Sequence, residues 1–304
     1  MLFAVSMPEF TLNQGHPMQI DDLISHEFSR NIGLLSEDDM QKLLQSHVAI
    51  AGCGGVGGIH ALTLARMGIG KFSLADLDEF ERENISRQFG AYQSTVGRHK
   101  AEVIAEMIHD INPDSEVHLY KEGISTKNVT EFLQEADLYV DGMEFFEFDI
   151  RRLLFNTARE AGIYSLTSAP LGFGGTLQVF APDGMTFDQY FGIREGMSYE
   201  EKIAAFAVGV APWPYQKKYM DLSKVSFKEK KGPAVAPSCT LASALVAAEV
   251  AKIICQRGKV KPVPHYIQID LMLRKFKTSR VWGGGNNPLQ RIKAWFALRV
   301  IRKS

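Results

Sequence analysis

Cysteine is scarce: Cys53, Cys239 and Cys255 are the three in 304 residues, and no two form a Cys-x-x-Cys pair. That excludes a disulfide framework and a four-cysteine zinc site, so no zinc is expected. Excess charge is also missing, with 34 Lys and Arg against 35 Asp and Glu, a formal net charge of −1. A protein held to nucleic acid mainly by phosphate neutralisation is usually basic overall, so a role on nucleic acid is open but not indicated and would need a local patch. No window is expected to reach the eighteen apolar residues of a membrane span. The opening Met1-Leu2-Phe3-Ala4-Val5 meets Pro8 and Glu9 before a secretory signal can form. The expectation is a cytoplasmic protein with reduced thiols and no membrane partner.

What is present is alternation. Residues 1–27 carry no clear period and read as an N-terminal arm. Ser36 followed by Asp39 reads as a helix cap, with helix formers over 37–45. His47 to Ala51 reads as a short buried strand running into Gly52-Cys53-Gly54-Gly55-Val56-Gly57-Gly58, then a small, apolar helix over 59–67 and a strand that ends at Asp76. Helices near 100–109, 128–135 and 151–161 alternate with strands at 116–120, 138–141 and 164–167. Such alternation predicts an α/β fold, Rossmann-like and doubly wound, with a mostly parallel sheet. Gly174 to Phe180 reads as an antiparallel strand, and a helix at 240–254 and a strand at 265–270 close the fold. One α/β domain is expected over 28–282, with a loop-and-helix insertion at about 183–237 and a basic tail at 283–304.

Chemistry enters at the glycine turn. Between a strand and a helix, glycines let the backbone approach phosphates while the N–H groups of the helix start face the negative charge. Gly52, Gly54 and Gly57 satisfy G-x-G-x-x-G, and Gly55 tightens it to G-x-G-G-x-G. Asp76, twenty-four residues after Gly52, stands where a carboxylate holds ribose hydroxyls. To this point an NAD-dependent oxidoreductase and an ATP-using enzyme are equally acceptable. Asp78, then Asn84-Ile85-Ser86-Arg87-Gln88, then Lys100 at a helix start favour ATP. A nicotinamide site has no need of further cations at its phosphates, whereas displacement of pyrophosphate by a carboxylate spreads charge that a fixed Arg and Lys stabilise.

These residues carry a resemblance. The run VAIAGCGGVGGIHALTLARMGIGKFSLADLDEFERENISRQF, followed by GRHKAEV and INP, resembles the ubiquitin-activating-enzyme superfamily in its bacterial ThiF/MoeB/HesA form, well over about 28–180 and more loosely near 240–254. The resemblance implies a ThiF-type domain that binds ATP and Mg2+ and adenylates a carboxylate. The acceptor would be the C-terminus of a ubiquitin-like or sulfur-carrier protein, or a small carboxylate on tRNA as in tRNA threonylcarbamoyladenosine dehydratase. It assigns Gly52, Gly54, Gly55 and Gly57 to the nucleotide loop and Asp76 to the ribose, with Asp78 beside it. Asn84, Arg87 and Gln88 match its NxxRQ segment, whose Arg faces the phosphates, and Lys100 matches its phosphate lysine. Arg30 resembles the arginine that reaches a neighbouring subunit's ATP, which implies a homodimer.

The match also has departures. Where the family carries Asp-x-x-Asp for magnesium, this chain has Asp141-Gly142-Met143-Glu144, a ligand longer by one methylene and ~1.5 Å in a site with strict geometry. A scaffold that binds nucleotide but has lost transfer is therefore a further reading. Cys239, at the start of a helix where thiol pKa falls, is the one candidate for a thioester, with packing as the alternative. The tail, with Arg291, Lys293, Arg299, Arg302 and Lys303, reads as a helix covering a subunit surface. The cluster Lys224, Lys228, Lys230 and Lys231 reads as a solvated loop able to receive an acidic carrier.

Overall fold

The computed structural model describes residues 20–227, 229 and 232–302; most of the N-terminal arm, and Lys228, Lys230, Lys231 and Lys303, lie outside them. In chain order the elements are α1 (Ile20–Ser25), α2 (Glu37–Gln45), β1 (His47–Ala51), α3 (Gly57–Arg66), β2 (Lys71–Ala75), α4 (Lys100–Ile111), β3 (Glu116–Tyr120), α5 (Val129–Phe132), β4 (Leu138–Asp141) and α6 (Phe148–Glu160). Then follow β5 (Tyr164–Thr167), β6 (Pro170–Leu171), β7 (Gly174–Phe180), α7 (Phe187–Phe191), α8 (Tyr199–Val210), α9 (Ala236–Ile254), β8 (His265–Asp270), β9 (Lys275–Arg280) and α10 (Pro288–Ile301).

The strands form one sheet in the order β3-β2-β1-β4-β5-β7-β8-β9, with β6 paired to β7. The first five run parallel to one another and β7, β8 and β9 run antiparallel, the mostly parallel sheet that the sequence predicts, to which the structure adds β6 and β9. Side chains alternate across the sheet. Val48 and Ile50 enter a core with α2, α3, α4 and α9, whereas Ala49 and Ala51 enter the core built on α5 to α8. The second core is aromatic: Phe155, Phe180, Phe187, Phe191 and Phe206 lie within ring contact of one another in a chain.

Local chemistry explains the elements that matter for the site. Ser36 caps α2 reciprocally with Asp39, the box read from sequence. The α9 helix corrects one expectation, because its 19 residues are long and apolar enough by length and composition to cross a membrane. Small polar residues hide in such a count. Ser243 donates to Ile59 O at 3.0 Å and meets Thr63 Oγ1 at 2.9 Å, so α9 is stitched to α3 as a core helix. The basic tail becomes α10, which packs on α8 of its own chain.

Sheet order places the site. Strand order reverses between β1 and β4, and in open α/β sheets ligands bind beyond the carboxyl ends of the strands at such a switch point. Gly52 N donates to Ala75 O at 2.7 Å and Gly142 N to Ala51 O at 2.8 Å, so the turns after β1, β2 and β4 meet there.

Candidate nucleotide site

The glycines of the turn divide into two kinds. Gly52 has φ +88°, and a Cβ there would sit 2.4 Å from Gly142 O. A Cβ on Gly57 would lie 1.6 Å from Gly52 O, and one on Gly58 2.9 Å from Cys53 O. These three are glycine because the chain packs against itself. Gly54 and Gly55 are not so constrained. A Cβ on Gly54 would meet Gln88 Nε2 at 3.6 Å and one on Gly55 would meet Cys239 Sγ at 3.6 Å, ordinary contacts, and neither has a positive φ. Nothing in the chain forbids a side chain at either position, so the bare backbone there leaves room for something outside the chain to come close.

Around this space the structure gathers most of the expected residues. Asp76 bridges two turns: Oδ2 accepts from Cys53 N–H at 2.6 Å and Oδ1 from Asp78 N–H at 2.8 Å. Lys100 is buried on the first turn of α4, where its Nζ donates to Asp78 Oδ2 at 2.9 Å and its N–H to Asp78 O at 2.9 Å. Its charge and that of Asp76 are both felt at the Cys53 thiol, which burial pushes well up. The buried Lys100 thus rests on a carboxylate that is half exposed beside the turn. Gln88 is buried, and its Oε1, next to Gly54, accepts no hydrogen bond. Such an orphan acceptor in a cradle of backbone N–H groups fits a bound nucleotide. Arg87 is half-buried, with Nη1 donating to Glu83 O at 3.2 Å. Asn84 is buried and spends its side chain locally, Oδ1 accepting from Glu81 N–H at 3.0 Å, so it shapes the segment carrying Arg87 and Gln88.

Cys239 lies under the same turn, in the first turn of α9. The lowered thiol pKa expected at a helix start is not what the structure gives. Burial pushes the thiol up, outweighing the nearby Arg87 charge, and its 1% exposure makes it packing for Val56 and Ile59. Arg30 stands exposed on the short 3-10 turn Ser29–Asn31, outside the group joined by these contacts.

The expected magnesium pair separates. Asp141 Oδ2 accepts from Arg151 Nε at 2.8 Å and from Thr167 Oγ1 at 2.8 Å, and Oδ1 accepts from Met143 N–H at 3.2 Å. With 3% of its side chain exposed and its charge matched inside the chain, Asp141 does not fit a metal. Glu144 is exposed on the turn that packs against Gly52 and Gly57, and it fits as a single carboxylate ligand. Among the described residues no three His, Cys, Asp or Glu side chains come together to hold an ion.

Arg151 is the residue that sequence reasoning missed. Its side chain is 2% exposed and lies 4.7 Å from the Phe206 ring centroid. Nη2 donates to Met143 O at 2.7 Å and Glu144 O at 2.8 Å, and Nη1 reaches Phe145 O at 3.3 Å. One guanidinium thereby fixes the backbone of the loop that carries Glu144. The available signal was an arginine on a helix ten residues after a strand-ending acid.

Known proteins resemble this chain to different extents. A tRNA threonylcarbamoyladenosine dehydratase of Haemophilus influenzae is 37% identical over 107 residues, 35% of this chain and 41% of that protein. The sulfur carrier protein ThiS adenylyltransferase of Escherichia coli is 30% identical over 161 residues, 51% of this chain and 62% of that one. The chain therefore spans about two-fifths to three-fifths of these curated relatives. Among solved structures, E. coli MccB with MccA-N7isoASN superposes with a TM-score of 0.66 at 20% identity, covering 88% of this chain and 74% of that one, which is a likeness of fold. The ThiF family matches residues 28–288, a span that includes the glycine turn, Arg87, Lys100, Glu144 and α9 together. The chain belongs to the ThiF family.

Proposed function

We propose that this protein is an ATP-dependent adenylyltransferase that activates a carboxylate. The observation that carries the reading is the unforced glycine at positions 54 and 55, beside the orphan Oε1 of Gln88. Backbone N–H groups there would cradle phosphates, and Asp76 would hold the ribose. An oxygen of the substrate carboxylate attacks the α-phosphorus, the bond from that phosphorus to the β-bridging oxygen breaks, and pyrophosphate leaves an acyl-adenylate. Arg87 and Lys100 stabilise the charge that builds on the phosphate oxygens. Lys100 reaches them by exchanging Asp78 for phosphate. Glu144 would hold a magnesium ion, which supplies charge neutralisation on the leaving group, and Arg151 keeps that loop in place.

Relatives named for ThiS and for tRNA threonylcarbamoyladenosine support a carrier-protein C-terminus or a tRNA-linked carboxylate as acceptor. Exposed Arg30 is free to meet the nucleotide of a second copy, which supports a homodimer, and a cytoplasmic location suits ATP as substrate. The test is ATP–pyrophosphate exchange with candidate carrier proteins and small carboxylates. Exchange that depends on one of them supports the reading. ATP binding without exchange would favour the scaffold, and a preference for NADH over ATP the oxidoreductase.

A further inference from the structure

A cavity of about 730 Å³ opens between α7, α8 and α10, and none of the nucleotide-site residues lines it. Its walls are apolar, with Phe191, Ala205 and Val208 on one side and Ile292, Trp295 and Phe296 on the other. The last three are 53%, 47% and 57% exposed, so α10 keeps large apolar side chains against a concave space instead of burying them. Exposed apolar surface gathered in a concavity marks a ligand site more often than scattered apolar residues do.

The polar groups narrow the ligand. Arg194 and Arg291 line the same cavity and are exposed, with no carboxylate partner among the described residues. The acid in the lining, Glu201, is engaged at the start of its own helix, its Oε2 accepting from Ser198 N–H at 2.8 Å. Gln290, also in the lining, holds a buried Oε1 that accepts no hydrogen bond. An apolar slot, two unpaired guanidinium forks and a buried acceptor together call for an apolar body, an anionic head and a donor on the body. Arginine forks match carboxylate geometry.

We propose that this cavity is a second binding site, separate from the nucleotide site, for a long-chain carboxylate that carries a hydroxyl or amide N–H on its chain. The α8 helix joins the two regions. Its Ala205 and Val208 line the cavity while its Phe206 lies against Arg151, which holds the Glu144 loop. The proposal concerns binding and stands whether or not the chain adenylates.

Isothermal titration of the full chain with 3-hydroxydodecanoate, below its micellar concentration, tests it. Saturable binding near one per chain is expected. The doubly charge-reversed variant Arg194→Glu with Arg291→Glu, at two exposed positions, weakens it by about tenfold or more. Dodecanol binding stays within twofold in that variant, and Val208→Trp, which fills the slot, weakens both ligands. No saturable binding to the wild type, or wild-type affinity for 3-hydroxydodecanoate in the charge-reversed or the filled variant, overturns the site. Binding seen only with phosphatidylglycerol vesicles also overturns it, because α10 would then be a membrane-facing helix and the cavity incidental.

Discussion

If the bare backbone at Gly54 and Gly55 is kept open for phosphates, alanine scanning of the turn should separate folding from binding. At Gly57 the added Cβ would stand 1.6 Å from Gly52 O, and real contacts of that kind need about twice the distance, so strand end and helix start must move apart. Overpacking against rigid backbone belongs with the large destabilisations, about 3–5 kcal/mol. At Gly54 the nearest atom is 3.6 Å away and belongs to a side chain. Gly54→Ala should therefore leave stability unchanged or raise it by about 0.4–1 kcal/mol through the unfolded state. The same methyl projects into the cradle, and displacing a phosphate from close backbone contact should cost about 1–3 kcal/mol of binding, a loss of roughly 5- to 150-fold in ATP affinity. Urea unfolding and calorimetric titration with ATP on Gly54→Ala, Gly55→Ala and Gly57→Ala give both numbers. ATP binding by Gly54→Ala and Gly55→Ala at wild-type affinity would rule out a phosphate cradle here, since those glycines would then answer to nothing outside the chain.

Other outcomes follow from the same structure. Arg151→Met leaves Asp141 buried without its counter-charge and should cost about 3–5 kcal/mol in urea unfolding, most of it recovered when Asp141→Leu is added. His60 is fully buried, and burial holds its pKa down to about 3 from 6.5. The unfolded chain therefore takes up a proton that the folded chain refuses, so this contribution is whole above about pH 6.5 and falls as pH drops toward 3, by about 2 kcal/mol at pH 5. In His60→Leu that portion of the acid slope should be missing when stability is compared at pH 7 and pH 5. Cys239→Ala should retain pyrophosphate exchange within twofold, because the buried thiol packs and does not react; loss of exchange with the fold intact would restore it as a catalytic candidate.

Elements with a local cause could be read directly. Val48 to Ala51 are all apolar because the strand is buried on both faces, and it ends at Gly52, whose positive φ needs glycine. The fold class follows from that pattern repeated. The β9 strand gives no signal because an edge strand such as Lys-Phe-Lys-Thr-Ser-Arg has no buried face to impose an apolar period, whereas α8 falls inside the loop-and-helix insertion expected at about 183–237. For the site, residue types and order were legible while their partners were not. Lys100 on Asp78 and Arg151 on Asp141 are pairings made by sheet order, and no local pattern announces that a carboxylate will be consumed inside the chain. The same topology turned Cys239 from a helix-start thiol into a buried wall of the glycine turn.

If the glycine turn presents the α-phosphorus of ATP to a carboxylate, the bond that breaks reports on it. ATP labelled at the α-phosphate, incubated with the protein, magnesium and a carboxylate that supports exchange, should yield pyrophosphate and a labelled acyl-adenylate, which releases labelled AMP when hydrolysed, and Lys100→Ala should slow that yield by about 100-fold or more. Labelled ADP with free phosphate, or AMP formed equally fast by the Lys100→Ala chain, would contradict it.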